Sequence, residues 1–291
     1  MGHYVPDQFP ATPWSPTMAD SDTDVTFRSL DGLRLRGTLT ESVTSPTAVA
    51  VLVHGGGVTR HEGGFFTRLA AGLAQAGIAS MRFDLRGHGE SEGRQEDLTI
   101  CAVVNDIRAA AGYLRTQMDF TSVALIGTSF AGGISAYFAT RYPEWVRTLV
   151  LLNPLLNYKK RFVDDKPYWH DDEIDEDAGR ELASNGFVWH SPTFKLGPPL
   201  LNEVFYVQPH LVLPEIVAPT LFVHGTGDTF IPVESSRQAV AQLTTDAKLI
   251  EIDGAQHGFA VPDDAGYLDP LTQAYQSTVI RSVTEWIVSR A

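Results

Sequence analysis

The apolar positions of this chain follow two rhythms that alternate along most of its length. Short unbroken runs at Ala48–Val53, Ile78–Phe83, Val123–Ile126, Thr148–Leu152, Pro219–Val223 and Lys248–Ile252 have the length and composition of strands covered on both faces. Between them lie stretches with helical spacing. Phe65–Gln75 is one, closed by Gly77, and Thr99–Gln117 is another, with Val103, Ile107, Ala110, Ala111 and Leu114 on one face. Further helices are predicted from Phe130 to Arg141, over Val233–Leu243 and over Leu268–Ser289. This order predicts a mostly parallel sheet flanked by helices. Ahead of it, the alternating runs Val25–Phe27 and Leu33–Leu39 flank Asp31-Gly32, which predicts an antiparallel hairpin. The sum is an α/β architecture with eight strands, two in the hairpin and six alternating with helices. No internal repeat is evident.

Two stretches break the rhythm. Residues 1–22 carry Pro6, Pro10, Pro13 and Pro16, as an extended arm would. Tyr4, Phe9 and Trp14 leave two readings for it, a disordered tail or an arm packed on its own body or on the second subunit of a homodimer. Residues 155–215 are too long for a plain loop in a compact domain, so they read as an inserted subdomain. That stretch opens with Tyr158-Lys159-Lys160-Arg161, passes an acidic run at Asp171–Asp177, and is then rich in aromatics and prolines. Gly186–His190 and Thr193–Leu196 could pair there as a small hairpin. The core domain is then 23–154 together with 216–291.

Composition narrows the field. The chain has 291 residues and a formal net charge of −13, which argues against binding nucleic acid or an anionic membrane. Its one cysteine, Cys101, allows no internal disulfide and fits a reducing compartment. With no signal-peptide pattern and no apolar run of membrane-spanning length, the expected location is the cytoplasm.

Ligand sites in open parallel sheets gather at the C-terminal ends of the strands. Those ends read His54-Gly55-Gly56-Gly57, Asp84-Leu85-Arg86, Ser129, Asn153-Pro154, His224-Gly225-Thr226-Gly227-Asp228 and Gly254-Ala255-Gln256-His257-Gly258-Phe259. Gly127-Thr128-Ser129-Phe130-Ala131 joins a buried strand to a helix rich in small residues. It is a G-x-S-x-A form of the nucleophile elbow, in which a strained serine presents its hydroxyl at the rim of the sheet. Gly127 is expected to let the chain turn, and Ala131 and Gly132 to let the new helix sit close to the sheet. The order Ser129, Asp228, His257 is the chain order of the α/β-hydrolase triad.

On these residues the chain resembles the α/β-hydrolase superfamily over about residues 25–290, and within it the cinnamoyl/feruloyl-esterase-like serine hydrolases. The resemblance rests on the His54-Gly55-Gly56 loop, on Arg82-Phe83-Asp84-Leu85-Arg86-Gly87-His88-Gly89-Glu90-Ser91, on the elbow, and on the segments ending in Asp228 and running through His257. It implies a lid at 155–215, inserted between the sixth and seventh strands over the acyl pocket. Phe187, Trp189, Phe205 and Tyr206 are expected to line that pocket. The elbow departs from the usual pattern at Phe130 and Ala131, and the lid is unusually acidic. The activity implied is hydrolysis of an ester or thioester of a small to medium acyl group, with a small-molecule substrate and no cofactor. Ser129 would attack, His257 would take its proton, and Asp228 would hold the imidazole tautomer. The backbone N–H groups of Phe130 and Gly56 would hold the oxyanion, with Gly57 competing for the second place. Two rival functions share the fold. One is an acetate-eliminating lyase of the kind found in tetronate natural-product pathways, and the other is a non-catalytic ligand-binding module.

The other conspicuous residues fit plainer roles. His54, His88 and His224 sit beside glycines in strand-end loops and are expected to brace them. Cys101 reads as a small core residue. Asp171–Asp177 lacks the glycine and final glutamate of a calcium loop and reads as solvated surface. No phosphate loop follows the triple glycine, and no H-E-x-x-H zinc motif is present.

Overall fold

The computed structural model describes residues 22–291. The expected N-terminal arm therefore lies outside the described residues, apart from Asp22, which opens the first strand. Strands β1 (Asp22–Arg28) and β2 (Arg34–Thr40) form the antiparallel hairpin, in register from Asp22↔Thr40 to Arg28↔Arg34. Its turn uses Gly32 at φ 91°, a left-handed conformation that costs glycine nothing. Then follow β3 (Ala48–Val53), α1 (Phe65–Gln75), β4 (Ile78–Phe83), α2 (Ile100–Gln117), β5 (Val123–Thr128), α3 (Phe130–Arg141) and β6 (Val146–Leu152). The inserted stretch holds a π-helical turn at Lys160–Asp164 and short elements: β7 (Trp169–His170), β8 (Glu173–Ile174), α4 (Glu176–Asn185), β9 (Val188–Ser191), β10 (Phe194–Leu196) and α5 (Pro198–Glu203). The chain closes with β11 (Thr220–Gly225), α6 (Glu234–Val240), β12 (Ala247–Ile252) and α7 (Pro270–Val288).

The main sheet has eight strands in the order β1-β2-β4-β3-β5-β6-β11-β12. From β4 to β12 all neighbours are parallel, while β2 runs antiparallel to both β1 and β4. Successive strand residues point to opposite faces, so a doubly covered strand must be apolar at every position. Val49, Val51 and Val53 of β3 join one apolar cluster with Val103 and Ile107 of α2 and Ile134 and Phe138 of α3. Ala50 and Leu52 join the other, with Leu69 and Leu73 of α1 and Val279 and Val283 of α7.

Helix ends follow local chemistry. Thr99 caps α2 by accepting from the Ala102 N–H at 3.0 Å, and Asp175 caps α4 by accepting from Ala178 at 2.8 Å. α6 is shorter than its apolar pattern, because Gln242 and Leu243 bond back three residues, to Ala239 and Val240, in tight turns. The expected small hairpin is β9 with β10, antiparallel and with a shift of register between Phe194 and Lys195. Among the described residues, no helix is long and apolar enough to cross a membrane.

Candidate active site

Ser129 stands between β5 and α3 at φ 49° and ψ −120°, a region that side-chain-bearing residues seldom occupy. Two backbone hydrogen bonds hold the corner. The Ser129 N–H donates to Leu152 O and the Leu155 N–H to Ser129 O, each at 2.9 Å. Gly127 serves a purpose other than turning the chain. A Cβ there would lie 2.3 Å from Ser135 Oγ and 2.8 Å from Ala131 O, so its bareness lets α3 close onto β5. The bareness of Gly132 likewise admits Pro154, in the loop after β6, rather than the sheet itself.

The three residues in triad order meet at this corner. Ser129 Oγ lies 3.0 Å from His257 Nε2, and His257 Nδ1 lies 2.7 Å from Asp228 Oδ2. The other carboxylate oxygen of Asp228 accepts from the N–H groups of Phe230 and Ile231, at 2.8 and 2.9 Å. Burial alone would push this carboxyl up, but its bonds with His224 and His257 outweigh that and hold it well below the usual carboxylate range. It therefore stays ionised beside the imidazole, whose Nδ1 must carry the proton.

The neighbouring histidines brace loops. His224 is buried. Its Nε2 donates to Ile231 O at 2.8 Å, and its Nδ1 accepts from Ser236 Oγ at 2.7 Å. His54 donates from Nδ1 to Gly55 O at 2.7 Å and accepts the Leu85 N–H at 2.9 Å, and burial lowers its pKa to about 3. His88 donates to Arg86 O at 3.0 Å and accepts the Gly57 N–H at 3.1 Å. That last bond commits the Gly57 N–H. The Gly56 N–H has no partner among the described residues, and neither has that of Phe130, which opens α3 where no intrahelical acceptor exists. The loop lies against Ser129, since a Cβ on Gly55 would stand 3.2 Å from the Ser129 Cβ.

Glu62 carries no motif, and the sequence reading passed over it. It sits at φ 46°, and its carboxyl Oε1 accepts the Gly55 N–H. Burial pushes that carboxyl up to about 7, against the opposing pull of the Gly55 N–H and of His257.

The side chains around Ser129 differ from those expected. Phe187, Trp189, Phe205 and Tyr206 sit elsewhere. Trp189 is 50% exposed and Tyr206 89% exposed. Phe187 packs on Trp189 under Lys195, and Phe205 on Trp169 beside Lys159. Strand alternation is the reason within β9: Val188 points inward, Trp189 outward and His190 inward again. A series of rings instead runs from Phe130, next to Ser129, through Phe194, His190 and Phe230 to His257, with successive centroids 5.0, 6.1, 5.9 and 5.1 Å apart. Phe162 packs at 5.0 Å on His190 and 6.3 Å on Phe130. Of these, His257 and Phe130 stand in the triad and elbow motifs, while Phe162, His190, Phe194 and Phe230 carry no motif.

Cys101 is also placed differently from its expected core position. It is exposed in the first turn of α2, where Glu203 of α5 accepts the Ile100 and Cys101 N–H groups. Desolvation and the Glu203 carboxylate push its thiol up to about 12, so it is a poor nucleophile. The acidic residues from Asp171 to Asp177 are mostly exposed, with Asp175 partly buried as the α4 cap. Among the described residues, no group of three or more His, Cys, Asp or Glu side chains is placed to hold a metal.

Comparison with known proteins agrees with this architecture. Residues 44–171 match the family model described as serine aminopeptidase, S33. A monoacylglycerol lipase of Mycolicibacterium smegmatis is 25% identical over 94% of this chain and 99% of its own length. Est1E of Butyrivibrio proteoclasticus, solved with ferulic acid, superposes with a TM-score of 0.75 at 21% identity, over 91% of this chain and 99% of that one. A monoacylglycerol lipase of Paleococcus ferrophilus superposes at 0.64, with 22% identity over 88% of this chain and 99% of that one. The chain is an α/β hydrolase in fold, and it is similar to esterase-type members of that superfamily.

Proposed function

We propose that the protein is a serine carboxylic-ester hydrolase working through Ser129, His257 and Asp228. The observation that carries this reading is the hydrogen-bonded series from Ser129 Oγ through His257 to Asp228, with separations of 3.0 and 2.7 Å, at a strained strand-to-helix corner. A serine hydroxyl is a weak nucleophile at neutral pH, so attack on the ester carbonyl needs His257 Nε2 to take its proton. The ionised Asp228 steadies the imidazolium that results. Charge then develops on the carbonyl oxygen, and the free N–H groups of Gly56 and Phe130 are the donors that would receive it. His257 returns its proton to the leaving alcohol, and water activated by the same imidazole releases the acid.

The inserted stretch acts as the lid, contributing Phe162, His190 and Phe194 to the wall around the nucleophile. The esterase and lipase names of the relatives favour the same reaction, including a bifunctional esterase/perhydrolase of Acinetobacter calcoaceticus at 25% identity.

The test follows oxygen. Turnover of an ester in ¹⁸O-water should put label into the acid, and Ser129→Ala should lower kcat by at least about 10³-fold with its thermal unfolding unchanged. Unlabelled acid together with a new alkene would favour elimination, in which His257 removes a proton from carbon. Full activity in pure Ser129→Ala would remove the serine from the chemistry.

A further inference from the structure

The protein carries many more acids than bases, and several cations of its insertion are matched. Lys159 pairs with Asp164 and Asp172, and Lys160 with Asp165. Lys195, over the Phe187 and Trp189 rings, makes no ion pair among the described residues. Arg161 and Lys166 are the other exceptions: both are partly buried, and among the described residues neither makes an ion pair or a side-chain hydrogen bond. Arg161 Nε is fully buried without a partner, and so is Nδ1 of His190. The Arg161 guanidinium carbon lies over the Phe230 ring, 4.1 Å from its centre, and that ring is 5.1 Å from His257 and 5.9 Å from His190.

Half-burying two like charges beside each other with no carboxylate in hydrogen-bonding reach is costly. Asp165 acts on both, and Asp228 on Arg161, only from a distance, although a chain rich in carboxylates could have supplied a direct partner. The electrostatics carry the mark of that arrangement. Burial and the nearby Arg161 lower the pKa of Lys166, and burial with both cations lowers that of His190 to about 3, so its ring is neutral with one nitrogen free to donate.

We propose that Arg161, Lys166 and His190 form an anion subsite next to the catalytic histidine, and that the natural substrate is an ester bearing a carboxylate on one of its two arms. This rests on the ester-hydrolase reading above and adds the substrate class to it. Phe230 carries Arg161 on one contact and His257 on another. The guanidinium and the imidazole bonded to Ser129 are thus neighbours of one ring, and the carboxylate arm of the substrate would run along it. Arg161 offers a planar pair of donors that suits a carboxylate, with Lys166 adding charge.

Two pairs of esters test this. 4-Nitrophenyl hydrogen adipate against its methyl ester reads a carboxylate on the acyl arm. 4-Carboxyphenyl butanoate against its methyl ester reads one on the alcohol arm. Each kcat/KM is divided by the ester's spontaneous hydrolysis rate. In one pair the carboxylate should be preferred at least about tenfold, as expected for a charge-assisted hydrogen bond released by mutation. The double variant Arg161→Gln, Lys166→Gln should bring that ratio to within about twofold of one. Because the two cations repel each other, its melting temperature should not fall. If the double variant does not fold, each single change should remove part of the preference. A ratio near one in both pairs, or a preference that survives the variants, overturns the proposal while leaving ester hydrolysis standing. If no ester turns over, the hydrolase reading fails by itself, and ligand-observed NMR of both carboxylate esters with Ser129→Ala decides the subsite. Binding that is lost on adding Arg161→Gln and Lys166→Gln supports it, and absence of binding overturns it.

Discussion

The parallel sheet and the insertion between β6 and β11 both border Ser129, and they do so by different means. The sheet contributes backbone. Its central strands are six or seven residues long and buried at nearly every position, and α1 alone buries six of its side chains. The corner at Ser129 inherits that rigidity through main-chain bonds to Leu152 and Leu155. The insertion contributes side chains. Its strands are two to four residues long, and α4 buries none of its residues. It is pinned to the sheet's core by buried side chains such as Tyr158, Leu196, Leu200 and Val204, while Phe162 and Phe194, with the partly buried His190, lie toward Ser129. Main-chain bonds therefore hold Ser129, and side chains of the insertion set what surrounds it, which is how one fold serves many substrates.

The difference can be broken most forcefully in the core. Phe222 is fully buried in β11, whereas Leu182 of α4 is only partly so. Phe222→Ala should cost about 3–5 kcal/mol in unfolding free energy, and Leu182→Ala less than about 1 kcal/mol. Urea unfolding of the two variants checks this, and equal losses would mean that the insertion is as tightly built as the sheet.

A smaller effect belongs to Glu62, in the loop after β3, whose carboxyl holds Gly55 beside Ser129. Its carboxyl is raised to about 7 in the folded protein, from an ordinary value of 4.5. The native state then binds the proton more tightly than the unfolded chain does. The stability this adds is full below the unfolded value and is lost as pH rises through about 7. Relative to Glu62→Gln, the wild type should lose about 2–3 kcal/mol of stability between pH 5 and pH 8, an amount bounded by the size of the shift. Parallel stability curves for the two proteins would show that Glu62 does not titrate in this range.

The smallest effects sharpen the account of the insertion itself. Phe194→Ala, next to Phe130 and Gly56, should change the ratio of kcat/KM between short and aromatic acyl esters by about fivefold, equivalent to about 1 kcal/mol. Trp189→Ala should leave that ratio within about twofold, because its ring faces outward. A larger effect at Trp189 than at Phe194 would reverse the assignment of the two faces of the β9–β10 hairpin.

Much of this protein is legible one residue after another. Unbroken runs such as Ala48–Val53 announce doubly covered strands, and Thr99 and Gly32 mark a helix start and a turn by local chemistry that needs no partner far along the chain. The rim residues Ser129, Asp228 and His257 follow from strand order, because parallel strands carry their loops to one edge. Tertiary structure alone decided the rest. Whether Gly56 or Gly57 keeps a free N–H depends on His88, which approaches from another strand end. Gly127 owes its bareness to Ser135, one helix turn into α3. Glu62 has no motif because its partner is a backbone N–H. Trp189 and Phe194 are both aromatic residues in a polar stretch, and composition treats them alike. Trp189 lies on the outward face of β9 and Phe194 on the inward face of β10, and a slip of a single residue in either strand would turn that strand's ring to the other face.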